Sequence, residues 1–135
     1  MNHLVKTKKE LNARFKSRTF LKLMNLKLIS LKNDHATLSF DCNSDTVSLR
    51  GTLYGGVVAF AADVGIWAAL VSEGLDQLVV TTDLNVHYLD RFEKGKVTVR
   101  AAILRRGKNM IIGEARLYNH KKILAAHVTG SFIRL

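Results

Sequence analysis

Asp63 is the only charged side chain between Gly51 and Ser72, a run (GTLYGGVVAFAADVGIWAALVS) otherwise composed for a protein interior. An unpaired carboxylate in such surroundings costs several kcal/mol even after relaxation, so stability does not account for it. Gly55, eight residues earlier, and Gly56 open the same expected helix. A bare glycine helix start presents free backbone N–H groups and the positive end of the helix dipole. Donors that polarise a carbonyl and a carboxylate that activates water are the parts of a hydrolytic site.

One helix cannot bring both groups to one carbonyl. Eight residues of helix span about 12 Å, whereas a carbonyl carbon and its attacking oxygen must approach to about 3–3.5 Å. Two antiparallel helices facing across a two-fold axis remove the difficulty, with Gly55 from one chain and Asp63 from the other.

The elements that must position these groups are legible in the hydrophobic spacing. Leu11, Phe15 and Leu23, set among Lys and Arg, predict an amphipathic helix over about 8–24. Residues 26–31 and 36–41 alternate as two strands joined by a turn at Lys32-Asn33-Asp34-His35. The central helix is expected at about 55–73, ending near Gly74. Residues 78–89 alternate, with Thr81, Asp83, Asn85 and His87 on one parity and Thr82, Leu84, Val86 and Tyr88 on the other. Three more strands follow at about 96–105, 109–118 and 122–134, and the last turns Leu124, Ala126, Val128, Gly130 and Phe132 to one face. A helix as apolar as the central one must be covered on most sides. A strongly curved antiparallel sheet wrapped round it does so within one domain, and the expected class is α+β.

Composition sets the boundaries. At 135 residues the chain is one domain, and its single cysteine, Cys42, can form no internal disulfide. A reducing, cytoplasmic setting and a structural thiol are the expectation. Lys22 and Lys27 interrupt the apolar stretch from Phe20 to Leu31, which argues against a signal peptide there. Asp63 in mid-run argues for a buried soluble helix rather than a membrane span. Of the net charge of +10, residues 1–32 carry +8 and the remainder +2. Basicity therefore belongs to an N-terminal arm that would draw phosphorylated ligands, acidic proteins, nucleic acid or anionic lipid.

Three blocks in order carry a resemblance. They are Gly51-Thr52-Leu53-Tyr54-Gly55-Gly56 leading to Ala62-Asp63, then Thr81 through Leu89 (TTDLNVHYL), then Ala125 through Phe132 (AAHVTGSF). In them the chain resembles the hotdog-fold acyl-CoA thioesterases of the PaaI-like branch. The resemblance implies a central helix in a curved sheet, sheets joined edge to edge, and homodimers or homotetramers with active sites shared between subunits. It also implies roles: Gly55 N–H polarises the thioester carbonyl, Asp63 is nucleophile or general base, and Thr81 assists water. The family usually writes His-Gly-Gly where this chain has Tyr54-Gly55-Gly56, and Ser48 stands where some members have asparagine. Tyr54 offers a hydroxyl donor and Ser48 a shorter arm toward the carbonyl.

Each candidate has a plainer reading. Asp63 could satisfy backbone N–H groups of a partner, the glycines could serve close packing, and Thr81 could reflect strand propensity. The turn Arg105-Arg106-Gly107-Lys108 could grip the phosphates of coenzyme A or be a solvated hairpin tip. The five histidines show neither metal-ligand spacing nor an acidic partner, so no metal is expected. The expected function is acyl-CoA hydrolysis without metal or redox cofactor, coenzyme A entering only as part of the substrate. The alternatives are a non-catalytic acyl-CoA-binding or regulatory hotdog module and, last, a nucleic-acid or anionic-membrane binder working through the arm.

Overall fold

The computed structural model describes residues 8–72 and 78–135; His3, Lys6 and the expected helix end near Gly74 lie outside the described residues. The order is α1 (Lys8–Lys16), α2 (Thr19–Leu23), β1 (Lys27–Lys32), β2 (His35–Cys42), α3 (Gly55–Val71), β3 (Val79–Tyr88), β4 (Gly95–Arg106), β5 (Met110–Tyr118) and β6 (Leu124–Arg134). All strand pairs are antiparallel, in the sheet order β1-β2-β4-β5-β6-β3. The sheet curls round α3, as the apolar character of that helix demands. Among the described residues no helix is long and apolar enough to cross a membrane.

Close approach between α3 and the sheet depends on missing side chains. Gly113 and Gly130 lie directly opposite each other on β5 and β6. A Cβ on Gly113 would stand 2.4 Å from Ile66 Cγ2, and one on Gly130 would stand 3.4 Å from Ile66 Cδ1. The two glycines thus form a depression that receives Ile66. On the helix side, a Cβ at Gly65 would meet Val99 Cγ1 at 3.0 Å. Around this seam Leu38, Phe40, Val58, Leu70, Val99, Ile111, Leu117 and Phe132 are buried.

The C-terminal end of α3 is clamped to the β1–β2 turn. Asn33 and Asp34 adopt φ of 47° and 62°, the left-handed pair of a tight hairpin turn that Asn and Asp tolerate. Ser72 Oγ donates to the Ala69 carbonyl at 2.7 Å and accepts from Asp34 N–H at 2.9 Å. Arg106 pairs with the Asp34 carboxylate and donates to the Leu70 carbonyl at 2.7 Å. A cation at a helix C-terminus satisfies a free carbonyl and favours the dipole.

The N-terminal arm is two helices rather than one, broken at Ser17-Arg18. The break lets Leu11 and Phe15 enter the core from α1 while Met24, at the end of α2, enters it separately. Asn12 also covers the backbone edge of β1. Its Oδ1 accepts from Leu28 N–H at 2.8 Å and its Nδ2 donates to the Leu28 carbonyl at 3.1 Å. One edge of the sheet is therefore occupied by the arm, while the other, β3, exposes most of its residues.

Candidate active site

Asp63 sits on the stripe of α3 that the sheet leaves uncovered. Gly55 and Gly56 are exposed, and Ala59, Phe60, Asp63, Val64 and Trp67 are half-buried, a helical succession between otherwise buried positions. Its carboxylate is thus half-exposed within one chain and it is not unpaired: Thr81 Oγ1 donates to Asp63 Oδ1 at 2.7 Å. The expectation of a deeply buried, lone carboxylate is corrected on both counts. Oδ2 has no partner among the described residues.

The Thr81 contact exists because β3 is bulged. Thr81 pairs with Phe132 and Asp83 with Ser131, so Thr82 is an extra residue with no opposite number. Its hydroxyl lies 3.1 Å from the Ser131 carbonyl and donates toward it. A bulge reverses the facing of everything beyond it. Val79 and Thr81 therefore face the helix together with Leu84, Val86 and Tyr88, not with Asp83, Asn85 and His87 as strict alternation predicts. Without the bulge, Thr81 would stand on the opposite face of the sheet from Asp63.

At the N-terminus of α3 the Gly55 and Gly56 N–H groups have no acceptor among the described residues, while Val57 and Val58 N–H bond to the Tyr54 carbonyl. Tyr54, at the cap position, supplies no side-chain cap and its ring is half-exposed. Ser48 is engaged locally: its Oγ accepts from Arg50 N–H at 3.3 Å and lies 3.4 Å from Thr52 Oγ1. A residue missed in the sequence is Tyr88, whose hydroxyl donates to the Gly55 carbonyl at 2.6 Å. A Cβ on Gly55 would come within 3.2 Å of that hydroxyl. Accepting this bond polarises the Gly55–Gly56 peptide, which strengthens the Gly56 N–H as a donor. The signal was present in the TTDLNVHYL block, but only the bulge reveals which way Tyr88 points.

The turn at Arg105-Arg106-Gly107-Lys108 does not offer a free four-residue phosphate grip. Arg106 is committed to Asp34 and Leu70, as described above, so that part of the expectation is corrected. Arg105 and Lys108 remain exposed, and Gly107 closes the turn, its N–H donating to the Met110 carbonyl at 2.9 Å. His127 also departs from expectation: it has an acidic partner, with Nε2 2.9 Å from Glu114 Oε2, diagonally across β5 and β6. Cys42 is buried, its Sγ 3.6 Å from the Phe92 carbonyl, and burial pushes its thiol pKa up. This is the inert setting of a structural thiol.

The sequence model of the thioesterase superfamily matches residues 50–126, from the turn before α3 into β6. A proposed esterase of Saccharolobus solfataricus is 28% identical over 119 residues, covering 87% of this chain and 84% of that protein. The fold recurs in a mutant thioesterase of Pseudomonas aeruginosa (19% identity, TM-score 0.87, 97% of this chain and 96% of that one). It recurs also in the PaaI protein of the phenylacetic acid degradation operon of E. coli (19%, TM-score 0.82, 95% and 94%). Two helix-start amides unpartnered among the described residues and a threonine-held carboxylate thus stand on a scaffold whose sequence match runs through both, and the chain belongs to the thioesterase superfamily as a thioester hydrolase of the hotdog fold.

Proposed function

We propose that the protein hydrolyses an acyl-coenzyme A in a site shared by two subunits, with Gly55 N–H of one chain holding the carbonyl oxygen and Asp63 of the other acting on the carbonyl carbon. The observation that carries this reading is the Thr81–Asp63 bond. It fixes one carboxylate oxygen at 2.7 Å and leaves the second without a partner among the described residues, on a half-buried side chain of the uncovered stripe that begins at Gly55 and Gly56. As general base, Asp63 takes a proton from water as the water oxygen bonds to the thioester carbon; the oxyanion is held by the helix-start amide. The C–S bond then breaks and the proton passes to the departing thiolate, giving free acid and coenzyme A. As nucleophile, Asp63 forms a mixed anhydride that water cleaves in a second step to the same products.

The open edge of β3 supports the reading. An open strand edge invites another strand, and the β1 edge is already held by Asn12, which leaves β3 as the edge for a second copy. Arg105 and Lys108 are the candidates left in that turn for the coenzyme's phosphates. The test is thiol release over a panel of acyl-CoAs by wild type and Asp63→Asn, each checked for fold by circular dichroism. Wild-type turnover lost in a folded Asp63→Asn dimer is the expected result. Turnover undiminished in that variant would remove Asp63 from the chemistry.

A further inference from the structure

We infer that Phe20, from the N-terminal arm, forms with Phe60 the aromatic wall that receives the acyl group, so that the arm helps set acyl specificity. This rests on the reading that the thioester is cleaved between Gly55 and Asp63. The two rings meet edge to face, centroids 4.8 Å apart at 76°. Phe60 lies four residues after Gly56 and three before Asp63, about one helical turn, roughly 6 Å, from the amide donors. It therefore stands on the uncovered stripe between the Gly55 that serves one of the two shared sites and the Asp63 that serves the other, within about five residues of each.

Topology makes the stripe a trough. The sheet curls round α3, and its two edge strands, β3 and β1, flank what the curl leaves open. On the β3 side Thr81 reaches Asp63; on the β1 side α2, which leads directly into β1, sets Phe20 against Phe60. Phe20 is 47% exposed in an arm otherwise rich in Lys and Arg, whereas Leu11, Phe15 and Met24 of the same arm are buried in the core. Fold stability thus accounts for those three and not for the exposed half of the Phe20 ring. Beyond Asp63 the stripe continues as Val64 and Trp67, both apolar in contact. Apart from Asp63 and Thr81, the described residues of the wall, Phe20, Phe60 and Val64, carry no side-chain hydrogen-bonding group before the Trp67 ring, which suits an apolar acyl chain without hydroxyl or carboxyl substituents.

The experiment compares octanoyl-CoA with acetyl-CoA in wild type, Phe20→Ala and Phe20→Leu. The ratio of kcat/KM for octanoyl over acetyl should fall about tenfold in Phe20→Ala, the discrimination lost with a small part of an apolar pocket, and less in Phe20→Leu. Binding is read separately in the Asp63→Asn background through the fluorescence of Trp67, the only tryptophan of the chain. There the affinity gain of octanoyl-CoA over acetyl-CoA should shrink with Phe20→Ala. An unchanged octanoyl-to-acetyl ratio in a variant that stays folded overturns this inference while leaving the reading of the site intact. So does a loss of dimer with the ratio preserved, which would assign Phe20 to a subunit contact. Absence of turnover and of binding for every acyl-CoA in wild type would instead overturn the reading of the site, and this inference with it.

Discussion

A mixed-dimer experiment tests the shared site most directly. Gly55→Val is the first perturbation: a Cβ alone would come within 3.2 Å of the Tyr88 hydroxyl, so the valine must displace the ring that bonds the Gly55 carbonyl. Asp63→Asn is the second, keeping side-chain size while removing the carboxylate proposed as base or nucleophile. The two lesions lie about 12 Å apart along α3, so the Thr81–Asp63 contact on the Gly55→Val chain is out of reach of the valine. If each site takes Gly55 from one chain and Asp63 from the other, both homodimers are inactive. Random re-pairing of equal amounts makes about half of the dimers mixed, each with one of its two sites intact, so about a quarter of wild-type activity should return. The assay is thiol release after exchange in mild urea, with native mass spectrometry to count mixed dimers. Demonstrated mixing with no recovered turnover would refute the cross-subunit arrangement, because a site built within one chain gains nothing from a partner damaged elsewhere.

Thr81→Val should lower kcat by roughly ten- to a hundredfold with little change in KM, the loss of one hydrogen bond to a charged group, while Thr81→Ser should retain most activity; equal turnover in all three would make the Thr81–Asp63 bond incidental. Gly113→Ala should destabilise the fold by about 1–3 kcal/mol in urea unfolding, since its methyl would overlap Ile66 at 2.4 Å. Combining it with Ile66→Ala should cost clearly less than the sum of the single changes, and strict additivity would deny the contact. For Cys42 the thiol pKa is raised by burial, so the folded state holds its proton to higher pH than the unfolded chain does. That contribution is full below the unfolded thiol value of about 8.5 and is lost as pH rises above it. Wild type should therefore lose stability relative to Cys42→Ala as pH rises above about 8.5, and parallel curves would contradict the burial argument.

Much of the fold was legible because its signals are local. The strands follow from alternation, the hairpin at Asn33-Asp34 from residues that tolerate positive φ, and α3 from an apolar run closed by glycines at its start. What the sequence hid was non-local. The break at Ser17-Arg18 is invisible to periodicity, since α1 and α2 separate only so that Leu11, Phe15 and Met24 can each reach the core. Arg106 read as a free cation because its partner, Asp34, lies 72 residues away.

The bulge at Thr82 is the most consequential of these hidden features, and it explains why Asp63 was legible while its surroundings were not. A charge in an apolar run announces itself from composition alone. The facing of Thr81 and Tyr88 depends on one unpaired residue in a ladder with β6, and no propensity marks Thr82 out from Thr81. Evenly alternating pairing would turn either Thr81 or Tyr88 away from α3, because they are seven residues apart and therefore of opposite parity. One extra residue brings both onto the helix side, Thr81 to the carboxylate of Asp63 and Tyr88 to the peptide of Gly55. A single edge strand can thus brace both ends of the Gly55-to-Asp63 half of α3 only if it is bulged between them.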